Sequence, residues 1–234
     1  MPKEEIREAV CTALAHRWDL SFTAAARLQA RLRKRLRLRP PRRRVRWVTG
    51  ADVAYDARRD RLFAAVVTCR LPHLDLVEIS SSQGHASFPY VPGFLSFREA
   101  PLVLRAVRRL RRRPDLLLCD GQGLAHPRRF GLACHLGLLL GLPSIGVAKS
   151  ILVGEHRPPG ERRGSRAALR DRGEIVGAAL RTRDGVRPVY VSPGHLCDLA
   201  WAVRRVLACC RGYRLPEPVR RAHHEVTRLR REAA

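Results

Sequence analysis

Acidic residues are what this chain has little of. Its 234 residues include 21 aspartates and glutamates against 46 lysines and arginines, a formal charge of +25. Lysine is scarcer still, occurring only as Lys3, Lys34 and Lys149, so nearly all the positive charge is arginine. Such an excess meets a polyanion or stays solvated at a cost in self-repulsion. Nucleic acid fits best, because each phosphate neutralised releases condensed counterions. Charge alone implies binding and says nothing of chemistry. Cysteine is present in an odd number, seven, with no Cys-x-x-Cys pair. The adjacent Cys209 and Cys210 suit neither an ordinary disulfide nor a zinc knuckle. Cys69, Cys119 and Cys134 lie in apolar runs, where a free thiol behaves as a small hydrophobe, so a reducing cytoplasm is expected. No apolar run reaches membrane-spanning length, and Met1-Pro2-Lys3-Glu4-Glu5 lacks the apolar core of a signal peptide, so no membrane partner is expected. There is no internal repeat.

Apolar residues are not lacking: at 45% of the chain they suffice for a substantial core and one domain over 1–234. Two helices are predicted at 3–17 and 21–38, packed on that domain, with Ser21 as an N-cap and Pro40-Pro41 as a stop. Closely spaced segments at 45–55, 62–69 and 74–79 read as an antiparallel strand meander. A helix at 97–112, a buried strand at 116–119, a helix from about 129 to 140 and a strand at 145–147 then alternate, which adds parallel strands. The stretch 155–173 reads as a loop. Segments 175–181 and 188–191 flank Asp184-Gly185, a hairpin turn signal. Helices at 195–210 and 217–231 finish the chain. The expected class is α/β, an antiparallel meander extended by parallel strands and flanked by helices.

Scarcity makes the placed acids informative. Asp52 lies inside the first strand and Asp120 at the end of the buried strand, where an ionised carboxylate is costly unless paired or metal-bound. Asp120 is also a plausible turn residue, because Asp-Gly is a common turn dipeptide. Glu99 falls at the start of a helix, where compensation of the helix dipole would also explain it. Elements of this order can bring all three to one sheet edge. Carboxylates with waters and a phosphate suit magnesium, which assists phosphodiester displacement by steadying the attacking and leaving oxygens. Nearby, His126-Pro127-Arg128-Arg129 precedes a helix and offers Arg128 and Arg129 as phosphate donors. Lys149 follows a strand end without the spacing of a nucleotide-binding loop, and could supply a compact charge near the phosphate. Phe88-Pro89-Tyr90-Val91-Pro92-Gly93 is a stiffened loop around one aromatic: either a core cover or a wedge into a base stack.

Taken together, these segments resemble the endonuclease V family, inosine-directed nucleases with a ribonuclease H-like fold. The resemblance runs from His16 to about Arg230. It rests on Gly-Ala-Asp-Val at 50–53, Pro-Tyr-Val-Pro-Gly-Phe-Leu-Ser-Phe-Arg-Glu at 89–99 and Asp-Gly-Gln-Gly-Leu-Ala-His-Pro-Arg-Arg at 120–129. Gly-Val-Ala-Lys-Ser at 146–150, Ser-Pro-Gly-His at 192–195 and Arg-Leu-Pro-Glu-Pro at 214–218 complete it. The resemblance implies Asp52, Glu99 and Asp120 as magnesium carboxylates, with manganese a plausible substitute, and Lys149 as the active-site lysine. It places His223 beside the metal, with His224 next door in register. Pro89, Tyr90, Val91 and Pro92 become the wedge, and Gly93, Leu95, Gly121 and His126 the pocket for a flipped base. Val91 stands where isoleucine is usual, and Val219 where threonine is common. The implied reaction is hydrolysis of the second phosphodiester bond 3′ to deoxyinosine in DNA, by a monomer, leaving 3′-hydroxyl and 5′-phosphate ends. Inosine in RNA is the alternative substrate, and a non-catalytic nucleic-acid-binding protein the alternative class.

Overall fold

A strand that is apolar at every position has to be covered on both faces. Leu62 to Cys69 comes close to this, apolar but for Thr68, whose hydroxyl bonds that of Thr49 at 2.8 Å, and it is buried throughout. The computed structural model describes residues 16–233. In order it contains α1 (Phe22–Arg33), β1 (Trp47–Asp56), β2 (Arg61–Arg70), β3 (Asp75–His85), α2 (Leu95–Arg108), β4 (Leu116–Cys119) and α3 (Leu132–Leu140). Then follow β5 (Ser144–Ala148), β6 (Arg166–Asp171), β7 (Glu174–Leu180), β8 (Val189–Pro193), α4 (Leu199–Ala208) and α5 (Glu217–Glu232). The strands form one eight-stranded sheet in the order β3-β2-β1-β4-β5-β8-β7-β6. This is the ribonuclease H-like mixed sheet: β1 to β3 are antiparallel neighbours, and β4 and β5 add on in parallel.

Side-chain alternation in β4 divides the core. Leu116 and Leu118 face a cluster with Trp201, Val203 and Val206 of α4 and with Val219 and Ala222 of α5. Leu117 and Cys119 face the opposite cluster, built with α2 and α3. A period of two therefore commits neighbouring residues to different layers. The six cysteines among the described residues are all free and buried, as small hydrophobes would be. No described helix is long and apolar enough to cross a membrane.

Several boundaries move from their sequence expectations. The helix expected at 3–17 lies outside the described residues except for its last two, which are not helical. Ser21 caps α1 as expected, its hydroxyl accepting from the Ala24 amide at 3.3 Å, but the helix stops at Arg33 rather than Leu38. The chain beyond is drawn off by tertiary bonds: the Arg37 carbonyl accepts from Leu196 and its amide donates to His195 Nδ1. Strand β3 runs six residues past its expected end, paired to β2 throughout. The helix expected from 129 begins at Leu132, which leaves Arg128 and Arg129 outside it. The 155–173 segment is not all loop, since it contains β6. Asp184-Gly185 is not a two-residue hairpin turn, because β7 and β8 are joined by residues 181–188. That turn is Arg172-Gly173, with φ of 51° and 79° between paired Asp171 and Glu174, the left-handed pair that a type I′ turn requires. The sheet also does not end in parallel strands, since β8 joins β5 antiparallel and carries β7 and β6 with it.

One close approach fixes α5 on the sheet. A Cβ added at Gly50 would lie 2.2 Å from the Pro218 carbonyl carbon and 2.4 Å from the Val219 nitrogen, both backbone atoms. Gly50→Ala must therefore push the start of α5 off β1, and overpacking of this kind costs about 1–3 kcal/mol. We expect a thermal melt lowered by several degrees, and an unchanged melt would show that this contact does not seat the helix.

Candidate active site

Parallel pairing of β1 with β4 matches Ala51 to Cys119, so the residue after each partner is a carboxylate. The Asp120 amide donates to the Ala51 carbonyl at 2.9 Å, which sets Asp120 beside Asp52 at the strand end. From above, α5 brings His223, whose Nδ1 lies 2.7 Å from Asp52 Oδ2. Each of Asp52, Asp120 and His223 offers one ligand atom within 4.8 Å of the others. Between the two adjacent histidines, the contact with Asp52 selects His223. Lys149, just past β5, forms an ion pair with Asp120. Glu99, from the second turn of α2, sits behind this group, close enough for Asp52 and Asp120 to act on it, but outside the tight trio.

The electrostatics are those of a site short of positive charge. Burial raises the Asp52 pKa from 3.8 to about 6; the Asp120 charge adds to this, while Lys149 and the His223 hydrogen bond oppose it. Burial, then Asp52 and Asp120, push Glu99 well above the usual carboxylate range, with only Arg98 opposing. Among the described residues no hydrogen bond holds the Glu99 carboxylate. A divalent cation fits this donor set, since it would supply the missing charge to oxygen ligands held close together.

Next to the carboxylates lies a cavity of about 460 Å³. Of the residues expected for a base pocket, Gly93, Leu95, Gly121 and His126 all line it, together with Tyr90, Val91, Pro92, Asp120 and Lys149. Tyr90 is 70% exposed at its rim. Pro89 and Pro92 are exposed beside it, while Phe88 is buried and anchors the loop in an aromatic cluster with Phe94 and Phe97. The loop is held from below: the Gly93 carbonyl accepts from Gln29, His126 and Arg128 at 3.1, 3.0 and 2.6 Å. His126 uses both ring nitrogens, since Nε2–H donates to Gly93 and Nδ1 accepts from the Arg128 amide. Burial, then Arg128, lower its pKa to about 4, so it is a neutral wall.

Neither Arg128 nor Arg129 stands as a free phosphate donor. Arg128 also bonds Gln29 and lies 4.2 Å over the Phe94 ring. Arg129 is buried and pairs with Asp171 and Glu174 at 2.7 and 2.6 Å. Both brace the fold, because an acid from the unforeseen β6–β7 hairpin arrives opposite Arg129. Two supports of Lys149 carry no local signal in the sequence. Arg214 donates to the carbonyl of Lys149 at 2.8 Å and of Pro188 at 2.9 Å, and Gln122 donates to that of Ser150 at 3.0 Å. Leu132, Ile151 and Leu152, outside the expected pocket residues, also form the cavity wall. Ile151-Leu152, an apolar pair straight after a polar turn, was a usable signal. Ser-Pro-Gly-His at 192–195 proves to be a buttress, with Ser192 Oγ accepting from the Gly123 amide at 2.7 Å.

A ribonuclease H-like sheet whose edge gathers acidic residues, a histidine and a lysine defines a metal-dependent nuclease. The sequence model described as Endonuclease V matches residues 30–224. An endonuclease V of Myxococcus xanthus is 52% identical over 226 residues, covering 95% of this chain and 96% of its own. The crystal structure of an endonuclease V from Streptomyces avermitilis superposes with a TM-score of 0.88 at 48% identity, over 92% and 96% of the two chains. That of Ciona intestinalis, in complex with a 24mer DNA containing an inosine followed by a ribo-adenosine, gives 0.78 at 25% identity over 91% and 98%. The chain belongs to the endonuclease V family.

Holding Asp52 ionised in the metal-free fold is costly. Its carboxyl is a weaker acid folded than unfolded, so the native state gains stability as pH falls from about 6 towards 4. Above that window it carries a penalty of about 3 kcal/mol. Asp52→Asn is therefore expected to raise the melting temperature in EDTA at pH 7.5 and to show a smaller further rise than the parent when a divalent cation is added. Asp120→Asn, which strands Lys149, should show no such gain. Equal melts for the parent and Asp52→Asn would refute the buried penalty. Carboxylate ligands must shed protons to bind a cation, so calorimetric metal affinity should fall below about pH 6, where Asp52 gains its proton.

Proposed function

We propose that this protein is a DNA repair endonuclease that hydrolyses the second phosphodiester bond 3′ to deoxyinosine, with magnesium as its metal and manganese as a working substitute. It leaves 3′-hydroxyl and 5′-phosphate ends, and residues 1–234 act as one catalytic domain and as a monomer. One observation carries the proposal: an exposed aromatic at a loop tip, a base-sized cavity and a carboxylate cluster share one continuous surface. In this reading Tyr90, stiffened by Pro89 and Pro92 and backed by Val91, enters the base stack and fills the gap of a nucleotide turned out. Gly93, Leu95, Gly121 and His126 enclose the turned-out base.

Chemistry follows from the neighbouring residues. Asp52 and Asp120, with Glu99 behind, would hold a divalent ion, which would supply positive charge to the phosphate and the leaving oxygen. Asp52 accepts from His223 Nδ1–H, which leaves the Nε2 lone pair outward to take a proton or ligate the ion. Lys149, paired with Asp120 beside the cluster, would offer its ammonium to a phosphate oxygen of the bound strand. The gathered carboxylates argue against pure binding, since they would weaken it in a protein without a metal. The strand in the Ciona complex gives the RNA alternative a concrete form, and matched inosine-containing DNA and RNA strands measure the preference.

The decisive assay is strand nicking next to inosine, with and without magnesium. Asp52→Ala and Asp120→Ala should abolish cutting and keep binding; equal loss of both would mark these residues as structural. Tyr90→Ala removes a stacking contact of about 1–3 kcal/mol, so it should slow duplex cutting by about tenfold or more. Single-stranded substrate, already unstacked, should be spared.

A further inference from the structure

A second concave surface lies beyond the carboxylates. It is a groove of about 350 Å³ lined by Tyr55, Asp56, Arg58, Arg59, Arg230 and Arg231. Its two walls are continuations of the elements that carry the candidate site. Strand β1 leads from Asp52 to Asp56, four residues or about 13 Å further on. Helix α5 runs alongside in the same direction: its start touches β1 at Gly50 and His223 meets Asp52. Arg230 is two turns beyond His223, about 10 Å along the axis and on the same helix face. The groove therefore opens about 10–13 Å from the cluster, on the side of the β1–β2 hairpin.

Its charge is organised. Arg58, Arg230 and Arg231 are exposed, and no acid pairs with their guanidinium groups among the described residues. Arg228, on the same helix, is by contrast neutralised by Glu225 and Glu232. The one acid in the groove, Asp56, is buried and already engaged by the Arg58 amide at 2.9 Å and the Arg59 guanidinium at 3.0 Å. Tyr55 forms a fixed aromatic wall, its hydroxyl bonded to Asp60 and its ring lying 4.3 Å under the Arg98 guanidinium. A basic trough with one aromatic wall suits a sugar-phosphate backbone.

Sheet order gives the groove a polarity. The base-sized cavity opens at the ends of β4 and β5, Asp52 lies on β1 between, and the groove belongs to the β1–β2 hairpin. A strand whose base enters the cavity, and which is cut on the 3′ side of that base, crosses the carboxylates and goes on into the groove. We propose that this groove binds the phosphates of the 3′ flank, about three or four nucleotides beyond the cut at about 3.4 Å per nucleotide. The assignment of the 3′ side rests on the proposed function above.

The test compares Arg230→Gln/Arg231→Gln with Arg108→Gln/Arg204→Gln, which removes the same charge from exposed positions outside the groove. Binding is read by anisotropy with calcium in place of magnesium. Three inosine oligonucleotides are used: one with long flanks, one trimmed to two nucleotides past the cut, and one trimmed equally on the 5′ side. On long flanks the groove pair should bind about tenfold more weakly, with a salt slope reduced by about 1.5, and the control pair far less so. Trimming the 3′ flank should bring the parent down to the groove variant; trimming the 5′ flank should leave their ratio unchanged. Equal losses in both pairs, a deficit that survives 3′ trimming, or one that vanishes with 5′ trimming would each overturn the proposal. Lesion recognition is read separately, as cutting of inosine against matched guanosine strands by the parent. A failure there is thus distinct from a failure of the groove.

Discussion

Two carboxylates held side by side at the end of a buried strand pair constrain everything around them. Parallel pairing of β1 and β4 fixes the spacing of Asp52 and Asp120 through the main chain, so neither can retreat from the other. Burial and the neighbouring Asp120 charge then make ionised Asp52 unfavourable, and Lys149 and His223 offset only part of the deficit. The arrangement is unstable as an empty acidic cluster and favourable around a cation. A local cost of this kind marks a site built for binding rather than for fold stability.

The surroundings keep that cluster in register. A glycine at position 50 lets α5 lie against β1, which carries His223 to Asp52. Arg214 and Gln122 fix the carbonyls of Lys149 and Ser150 and so hold the ammonium over Asp120. Across the cavity, three donors on the Gly93 carbonyl hold the loop that exposes Tyr90. Hydrogen bonds thus hold the Tyr90 loop, the cavity wall and the carboxylate cluster in fixed relation to one another, as the proposed function would require.

Arginine serves two purposes here, and sequence position did not separate them. Arg128 and Arg129 look like phosphate donors by their place before a helix, yet their guanidiniums are bonded to protein oxygens and carboxylates. Arg230 and Arg231 look like an ordinary basic helix end, yet they face a groove in line with the site. The distinction depends on which acids the fold delivers. Asp171 and Glu174 reach Arg129 because they flank a two-residue turn that is recognisable only once Arg172 and Gly173 are seen in left-handed conformation. Glu225 and Glu232 take Arg228, and among the described residues no acid pairs with the guanidinium of Arg230 or Arg231.

Local patterns were enough to place most strands and helices, the acids on β1 and after β4, the stiffened aromatic loop and the odd lysine. Each of these is a short-range property: apolar period, turn chemistry, or a charge where burial makes charge costly. The motifs at 89–99 and 120–129 added the family and its expected roles. Tertiary structure decided what depends on distant partners: the end of α1 at a bond to residue 196, the antiparallel β8-β7-β6 extension, and the choice of His223 over His224. It also decided that Glu99 stands behind the tight trio and that two predicted phosphate donors are internal braces. Periodicity records which face of an element is buried; it does not record which residue, a hundred positions away, will fill the space opposite.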